Sequence, residues 1–358
     1  MPTDLRTRKL AELAIKCVEM KKGDKVVLSG RSEAIPFLVE LYKAVILNGG
    51  HPIVKVGLPG TSDFFYKHAN KEQIESFPDY WLDTLKRAQC YIGISTSGNT
   101  RELSSCNPKK MTARGKIVHP ISDYVCNTRD KIKRVTIGYP CSALAQDAEM
   151  SDTEYENFLY GACLQDWTKI KKLAKKVSSK FKSGSSVRLV GENVDLKFKV
   201  HGDKIASDLE HVENMPSGEI FMAPVRESLN GYIKFEYASV RDGKEITDIY
   251  LKFKDGKVIE SSATKNEEFL KEMLTTDENA SYVGEFGIGM NPKIDKYTNN
   301  LLFDEKIGGT IHLALGSAYK ENGGGNDSAI HWDLVKNMSK AKIIIDGKIL
   351  QENGKFKV

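Results

Sequence analysis

The hydrophobic pattern of this chain changes period part-way along, and that change limits what it can fold into. Residues 10–20 repeat apolar positions at helical spacing, and Lys25-Val26-Val27-Leu28-Ser29-Gly30 is a short apolar run closed by a glycine turn. The pattern predicts a helix over 34–47, stopped at Asn48-Gly49-Gly50, where glycine accepts the left-handed cap. Pro52-Ile53-Val54-Lys55-Val56 is the next strand, which completes a βαβ unit. Further strands are predicted at 90–94, after a helix over 80–87, and around 133–138. Beyond residue 187 the period drops to two. Val187-Arg188-Leu189-Val190, Leu196-Lys197-Phe198-Lys199-Val200, residues 231–237 and residues 249–253 alternate apolar and polar side chains. Asp255-Gly256 and Asp346-Gly347 are hairpin turns.

These patterns predict two domains, in keeping with a length of 358 residues. The expected fold class is a doubly wound, Rossmann-like α/β domain over 1–182, followed by an α+β domain over 183–358 rich in antiparallel strands. Residues 152–182 read as one long helix or two consecutive ones, and Ser183-Gly184-Ser185-Ser186 as the linker. In the basic run, Lys169, Lys171, Lys172, Lys175, Lys176, Lys180 and Lys182 form the wet side of an amphipathic helix. Its buried side is Ile170, Leu173, Ala174, Val177 and Phe181.

Composition removes several function classes. A net charge of +5, from lysines mixed with acids, describes a solvated surface, so no nucleic-acid partner is expected. No apolar run approaches the ~20 residues that span a bilayer. The charged segment Met1-Pro2-Thr3-Asp4-Leu5-Arg6 lacks the apolar core of a secretion signal. A cytoplasmic protein with no membrane partner is the expectation. Cys17, Cys90, Cys106, Cys126, Cys141 and Cys163 form no CxxC pair and read as free, mostly structural thiols. Neither GxGxxG nor GxxxxGK[ST] occurs, so no nucleotide cofactor is expected.

The C-terminal part carries the chemistry. His331-Trp332-Asp333 places imidazole and carboxylate on one side of an extended strand, because side chains repeat every two residues there. His312 lies close in sequence, followed by Tyr319. Glu219 and Glu285 each stand beside a glycine among apolar residues, and an acid so enclosed is costly to bury unless paired or bound to a metal. Asp304 and Glu305 read either as site residues or as caps of a turn before Gly308-Gly309. Asn322-Gly323-Gly324-Gly325-Asn326 reads as a mobile loop bordering the site. His51, His68 and His119 read as packing or capping groups, and His201 and His211 as surface groups.

Five ordered blocks carry a family resemblance. They are Asn214 to Pro224, Gly284-Glu285, Leu302-Phe303-Asp304-Glu305, Ile311 to Tyr319, and Ser328 to Asp333. With Ile137-Gly138-Tyr139-Pro140, Ala143 to Gln146, Met150 and Tyr155 upstream, they make most of the chain resemble the thermophilic metalloaminopeptidases of the aminopeptidase T and aminopeptidase S group. The resemblance implies an exopeptidase that acts on peptides with a free N-terminus and forms a homodimer. It also implies two divalent ions (zinc, cobalt, manganese or magnesium) held by Glu219, Glu285, Glu305, His312, His331 and Asp333. Tyr319 would stand beside or on the ions and Glu285 would bridge them, serve as general base, or both. Two other readings stay open. His312, His331 and Asp333 alone are a 2-His-1-carboxylate set, which suits a mononuclear iron(II) ring-cleaving dioxygenase. A non-enzymatic metal-binding protein is the third.

Overall fold

The computed structural model describes residues 4–209, 213–241, 244–319 and 322–358. The chain divides into two compact units. Met1–Leu164 with His211–Pro216 form one, and Gln165–Glu210 with Ser217–Val358 form the other.

The first unit is built on a parallel sheet with strand order His51–Gly57, Lys25–Arg31, Cys90–Ser95, Lys133–Gly138, Asn214–Met215. Its first four strands alternate with helices, as expected of a doubly wound domain. Val26, Val27 and Leu28 are buried because a parallel strand covered by helices has no wet face. The glycine expected to close this strand, Gly30, lies inside it, and the strand continues to Arg31. On one side Leu85, Val125 and Ile132 pack with Val27. The fifth strand arrives from far downstream in the chain, where no local pattern announces it.

The second unit contains an eight-stranded antiparallel sheet and a five-stranded antiparallel sheet that share one apolar core. Val194–His201 buries Val194, Leu196, Phe198 and Val200 and turns the residues between them outward, as a half-buried strand must. Phe198 meets Phe286 of the five-stranded sheet edge-on, with ring centroids 5.1 Å apart. The amphipathic helix forms over Trp167–Ser178 and seats Ile170, Ala174 and Val177 in this same core. Residues 183–186, expected as a linker, instead begin the strand Ser183–Gly191. Ser185 is buried there, with its hydroxyl donating to Asp346 at 2.8 Å and the Ser186 amide donating to the same carboxylate at 2.8 Å. Small polar residues read as a linker wherever their strand partners cannot be seen. Among the described residues, no helix is long and apolar enough to cross a membrane.

Candidate metal centre

The five-stranded sheet runs in the order His331–Asn337, Thr310–Gly316, Val283–Gly289, Glu219–Met222, Ala206–Ser207. One face gives Ile311, Leu313, Leu315, Phe286, Ile288, Trp332, Leu334, Ile220 and Met222 to the core. Alternation sends the intervening residues to the opposite face. There the register sets Ala314 opposite both Glu285 and Asp333, Gly287 opposite His312, and Gly289 opposite Glu219. Thr310–Gly316 and Val283–Gly289 are nonetheless buried along their whole length. Their second face is therefore covered too, but its content is acid, imidazole, glycine and alanine rather than hydrocarbon.

The glycines make room for this polar layer. A Cβ at Gly287 would stand 2.0 Å from both Cε1 and Nε2 of His312, so the imidazole lies across a bare backbone. At Gly289 a Cβ would meet the Ile307 carbonyl oxygen at 2.2 Å, which lets the segment leading to Lys306 close down on the sheet.

One ligand atom from each of Glu285, His312 and Asp333 falls within 4.8 Å of the others. His312 Nε2 is 3.2 Å from Glu285 Oε1 and 3.6 Å from Glu219 Oε2. His331 Nδ1 faces the Ser317 carbonyl oxygen at 2.9 Å, and its Nε2 lies 3.4 Å from Asp333 Oδ2. Donation from Nδ1 to a backbone carbonyl fixes the tautomer and leaves Nε2 free as a ligand, the usual support for a metal-binding histidine. Glu219 Oε2, Glu285 Oε2, Asp333 Oδ1 and His312 Nδ1 are buried and make no hydrogen bond among the described residues. Such atoms carry the desolvation cost in full unless something joins them. Oxygen and imidazole donors without thiolate fit zinc, cobalt, manganese or magnesium.

Electrostatics point the same way. Burial lowers the His312 pKa, but the Glu285 hydrogen bond and the charge of Glu219 outweigh it and raise it to about 9. His331 rises to about 10, because Asp333 overcomes its desolvation. Burial lifts Glu285 above the carboxylate range, His312 opposing it, whereas Asp333 is burdened by burial yet held low by His331. A divalent ion bound here would compete with protons for the same donors.

Not every expected ligand converges. Glu219 Oε1 is 3.0 Å from Lys306 Nζ, and Glu305 Oε2 is 2.9 Å from the same nitrogen. Asp304 is buried and accepts from the Thr298 amide and hydroxyl, both at 2.8 Å, which makes it a structural acid. Tyr319 is 52% exposed, with its ring centroid 5.5 Å from that of His331. Residues 322–326 differ from a free loop: Asn322 and Asn326 are buried, and Asn326 donates to the Asn279 carbonyl at 3.0 Å. His51, His68 and His119 lie in the first unit and are exposed, His68 with its ring packed against Phe64 at a centroid distance of 4.4 Å, and His201 is half-buried. His211 falls outside the described residues.

Four contributors stood outside the sequence expectations. Gly287 and Gly289 alternate with apolar residues after Glu285, a pattern that marks a strand lending one face to something other than hydrocarbon. Asp208 receives the amides of Gly218 and Glu219, each at 3.1 Å, and so fixes the backbone that aims Glu219. Lys306 had no signal, since a lysine before two glycines reads as a surface turn.

The model of the thermophilic metalloprotease (M29) family matches residues 3–356. The chain belongs to that family. It is thereby an enzyme of the metallopeptidase class. Aminopeptidase 2 of Geobacillus stearothermophilus is 25% identical over 95% of this chain and 93% of that protein. Among solved structures, wild-type AmpT from Thermus thermophilus aligns with a TM-score of 0.84 at 22% identity, covering 99% of both chains. The 2,5-dihydroxypyridine dioxygenase of Pseudomonas putida KT2440 aligns with a TM-score of 0.60 at 12% identity, covering 98% of this chain and 96% of that one. These structural likenesses establish a shared fold.

Proposed function

We propose that this M29 metallopeptidase is an aminopeptidase that hydrolyses the N-terminal peptide bond of peptides, with a divalent ion held by Glu285, His312 and Asp333 and flanked by His331. The observation that carries this reading is that Glu285, His312 and Asp333, all buried, bring one ligand atom each within 4.8 Å of the others, beside a histidine already oriented through its second nitrogen. An ion bound there supplies Lewis-acid polarisation of the scissile carbonyl and lowers the pKa of a water to about 7.

The side chains divide the remaining work. Glu285 turns Oε1 toward His312 and keeps Oε2 free. That unpaired oxygen suits it to accept the proton of the attacking water and return it to the departing amine. Glu219 presents a further oxygen, Oε2, to the same His312 Nε2 at 3.6 Å. Tyr319, exposed beside His331, is placed to meet the substrate and donate to the oxygen on which charge develops. Self-association is supported by apolar exposure in the first unit. Val39, Tyr42 and Ile46 on one helix are exposed, as are Ile53, Val54 and Val56 on the edge strand His51–Gly57. A soluble cytoplasmic homodimer is the assembly proposed.

His331→Ala and Asp333→Ala should each lower kcat/KM on aminoacyl amides by more than ~100-fold, a larger loss than removing an outer-shell partner of a metal ligand causes. Metal content should fall in parallel, with the circular dichroism spectrum retained. A His331→Ala enzyme that stays active and metal-replete would remove the assignment. Among the described donors, the dioxygenase reading uses His312, His331 and Asp333 and leaves Glu285 without a task. Iron-specific binding and no release of an N-terminal amino acid would revive it.

A further inference from the structure

The donors of the candidate metal centre open to solvent at one end. Glu219, Glu285, His312 and Asp333 are buried, whereas the His331 side chain is 30% exposed. A substrate therefore reaches them from the His331 end, and two aromatic rings stand there in sequence. The Tyr319 ring lies 5.5 Å from that of His331, and the Phe221 ring 6.4 Å from that of Tyr319, centroid to centroid. Tyr319 is held by its backbone, whose carbonyl accepts the amides of Asn322 at 3.1 Å and Gly324 at 3.2 Å.

Phe221 does not serve the core. Its neighbours Ile220 and Met222 enter the apolar core, so alternation turns Phe221, like Glu219, to the polar face. The register sets it opposite Gly287 on one side and Ala206 on the other, and Gly287 is also the residue opposite His312. Phe221 and His312 thus share one row across the sheet, separated by a residue without a side chain. The Phe221 ring is half-buried. Its strand neighbours in that row contribute one methyl group, which leaves apolar ring surface in a layer of acid, imidazole, glycine and alanine. Further apolar surface is needed to remove that ring from water.

Peptide geometry supplies it. The side chain of a peptide's first residue branches one Cα–C bond, about 1.5 Å, from the carbonyl that is cut. With that carbonyl at the donors, the side chain lies against whatever flanks them on the open side. Resting on the aminopeptidase reading, we infer that Phe221 and Tyr319 form the subsite for the substrate's first side chain, and that Phe221 selects peptides beginning with a large apolar residue. A leucine or phenylalanine side chain covers the rings as it is itself buried, whereas an alanine methyl covers little of them. A charged head group pressed there loses water and gains no hydrogen bond from ring carbons.

Amino-acid amides test this, because each carries a single side chain. Values of kcat and KM are measured for the amides of leucine, phenylalanine, alanine, lysine and glutamate on the metal-replete full chain, Phe221→Ala and Phe221→Leu. Wild type should favour leucine and phenylalanine over the other three by at least about 10-fold in kcat/KM, the low end of what one methylene in a hydrophobic pocket contributes. Phe221→Ala should lose at least about 10-fold more on leucinamide than on alaninamide. The inhibition constants of leucinol and alaninol, which cannot be hydrolysed, should converge in that variant. A wild type that cuts the amides evenly, or favours a charged one, would overturn the inference while leaving the aminopeptidase reading intact. So would a folded Phe221→Ala with equal losses on leucinamide and alaninamide, the result expected of a merely structural ring. No cleavage of any amide with zinc, cobalt, manganese or magnesium would overturn both. Should Phe221→Ala not fold, Phe221→Leu decides. Its phenylalanine-to-leucine preference should fall about 5-fold, as an aromatic pair is lost, and an unchanged ratio would overturn the inference.

Discussion

Adding a single methyl group at Gly287 tests whether the polar layer is built as described. The backbone there is an ordinary strand, so alanine meets no conformational penalty and the whole effect comes from space. The new Cβ would lie 2.0 Å from His312 Cε1 and Nε2, whereas ordinary contact begins near 3.4 Å. The ring or the strand must therefore yield by about 1.4 Å, the difference of those two distances. His312 cannot retreat freely, because it is fully buried on the strand between Val283–Gly289 and His331–Asn337. Overpacking of this kind costs roughly 1–3 kcal/mol of stability. Displacing a reacting group by ~1 Å can cost about 100-fold in rate. Gly287→Ala should thus lower kcat/KM by at least that factor and weaken zinc binding in calorimetry. Its thermal midpoint should fall only moderately. A Gly287→Ala enzyme with wild-type activity and metal affinity would show that His312 does not lie across this glycine.

Two further outcomes follow from the fold. Gly161 sits inside the helix Asp152–Cys163, and a methyl added there would find nothing within 4 Å among the described residues, so Gly161→Ala should raise stability by ~0.5–1 kcal/mol in urea unfolding. A lower midpoint would contradict the packing around that helix. Cys90 is buried, and burial, then the charge of Asp24, pushes its thiol up to about 12 from an ordinary 9.0. The folded state holds this proton more tightly than the unfolded state does. The contribution is therefore complete below pH 9 and is lost as pH rises through the folded value. The stability difference between wild type and Cys90→Ala should narrow between pH 9 and pH 12 by at most about 1.4 kcal/mol per unit. A difference that stays flat across that range would place Cys90 in solvent.

The sequence by itself determined the two architectures and most of the chemical groups. Helical spacing, alternation and Asp-Gly turns are local properties of the chain, and they placed the strands Lys133–Gly138 and Val194–His201 and the helix Trp167–Ser178. His331 and Asp333 were legible for the same reason, since two residues on one strand must share a face. Only the tertiary structure decided which groups meet. Asn214–Met215 joins the first unit's sheet through a strand far away in sequence, and Ser183–Gly191 is a strand because Val194–His201 and the distant Ala341–Ile345 complete its hydrogen bonds. Glu219, Glu285 and His312 come together through the register of three antiparallel strands, and a register depends on pairing energies summed along each strand. Gly287 is needed only because His312 lies opposite it. Lys306 reads as a surface lysine until the chain folds over Gly289 and sets its ammonium between two glutamates, where the cost of burying a charge is offset by partners far away in sequence.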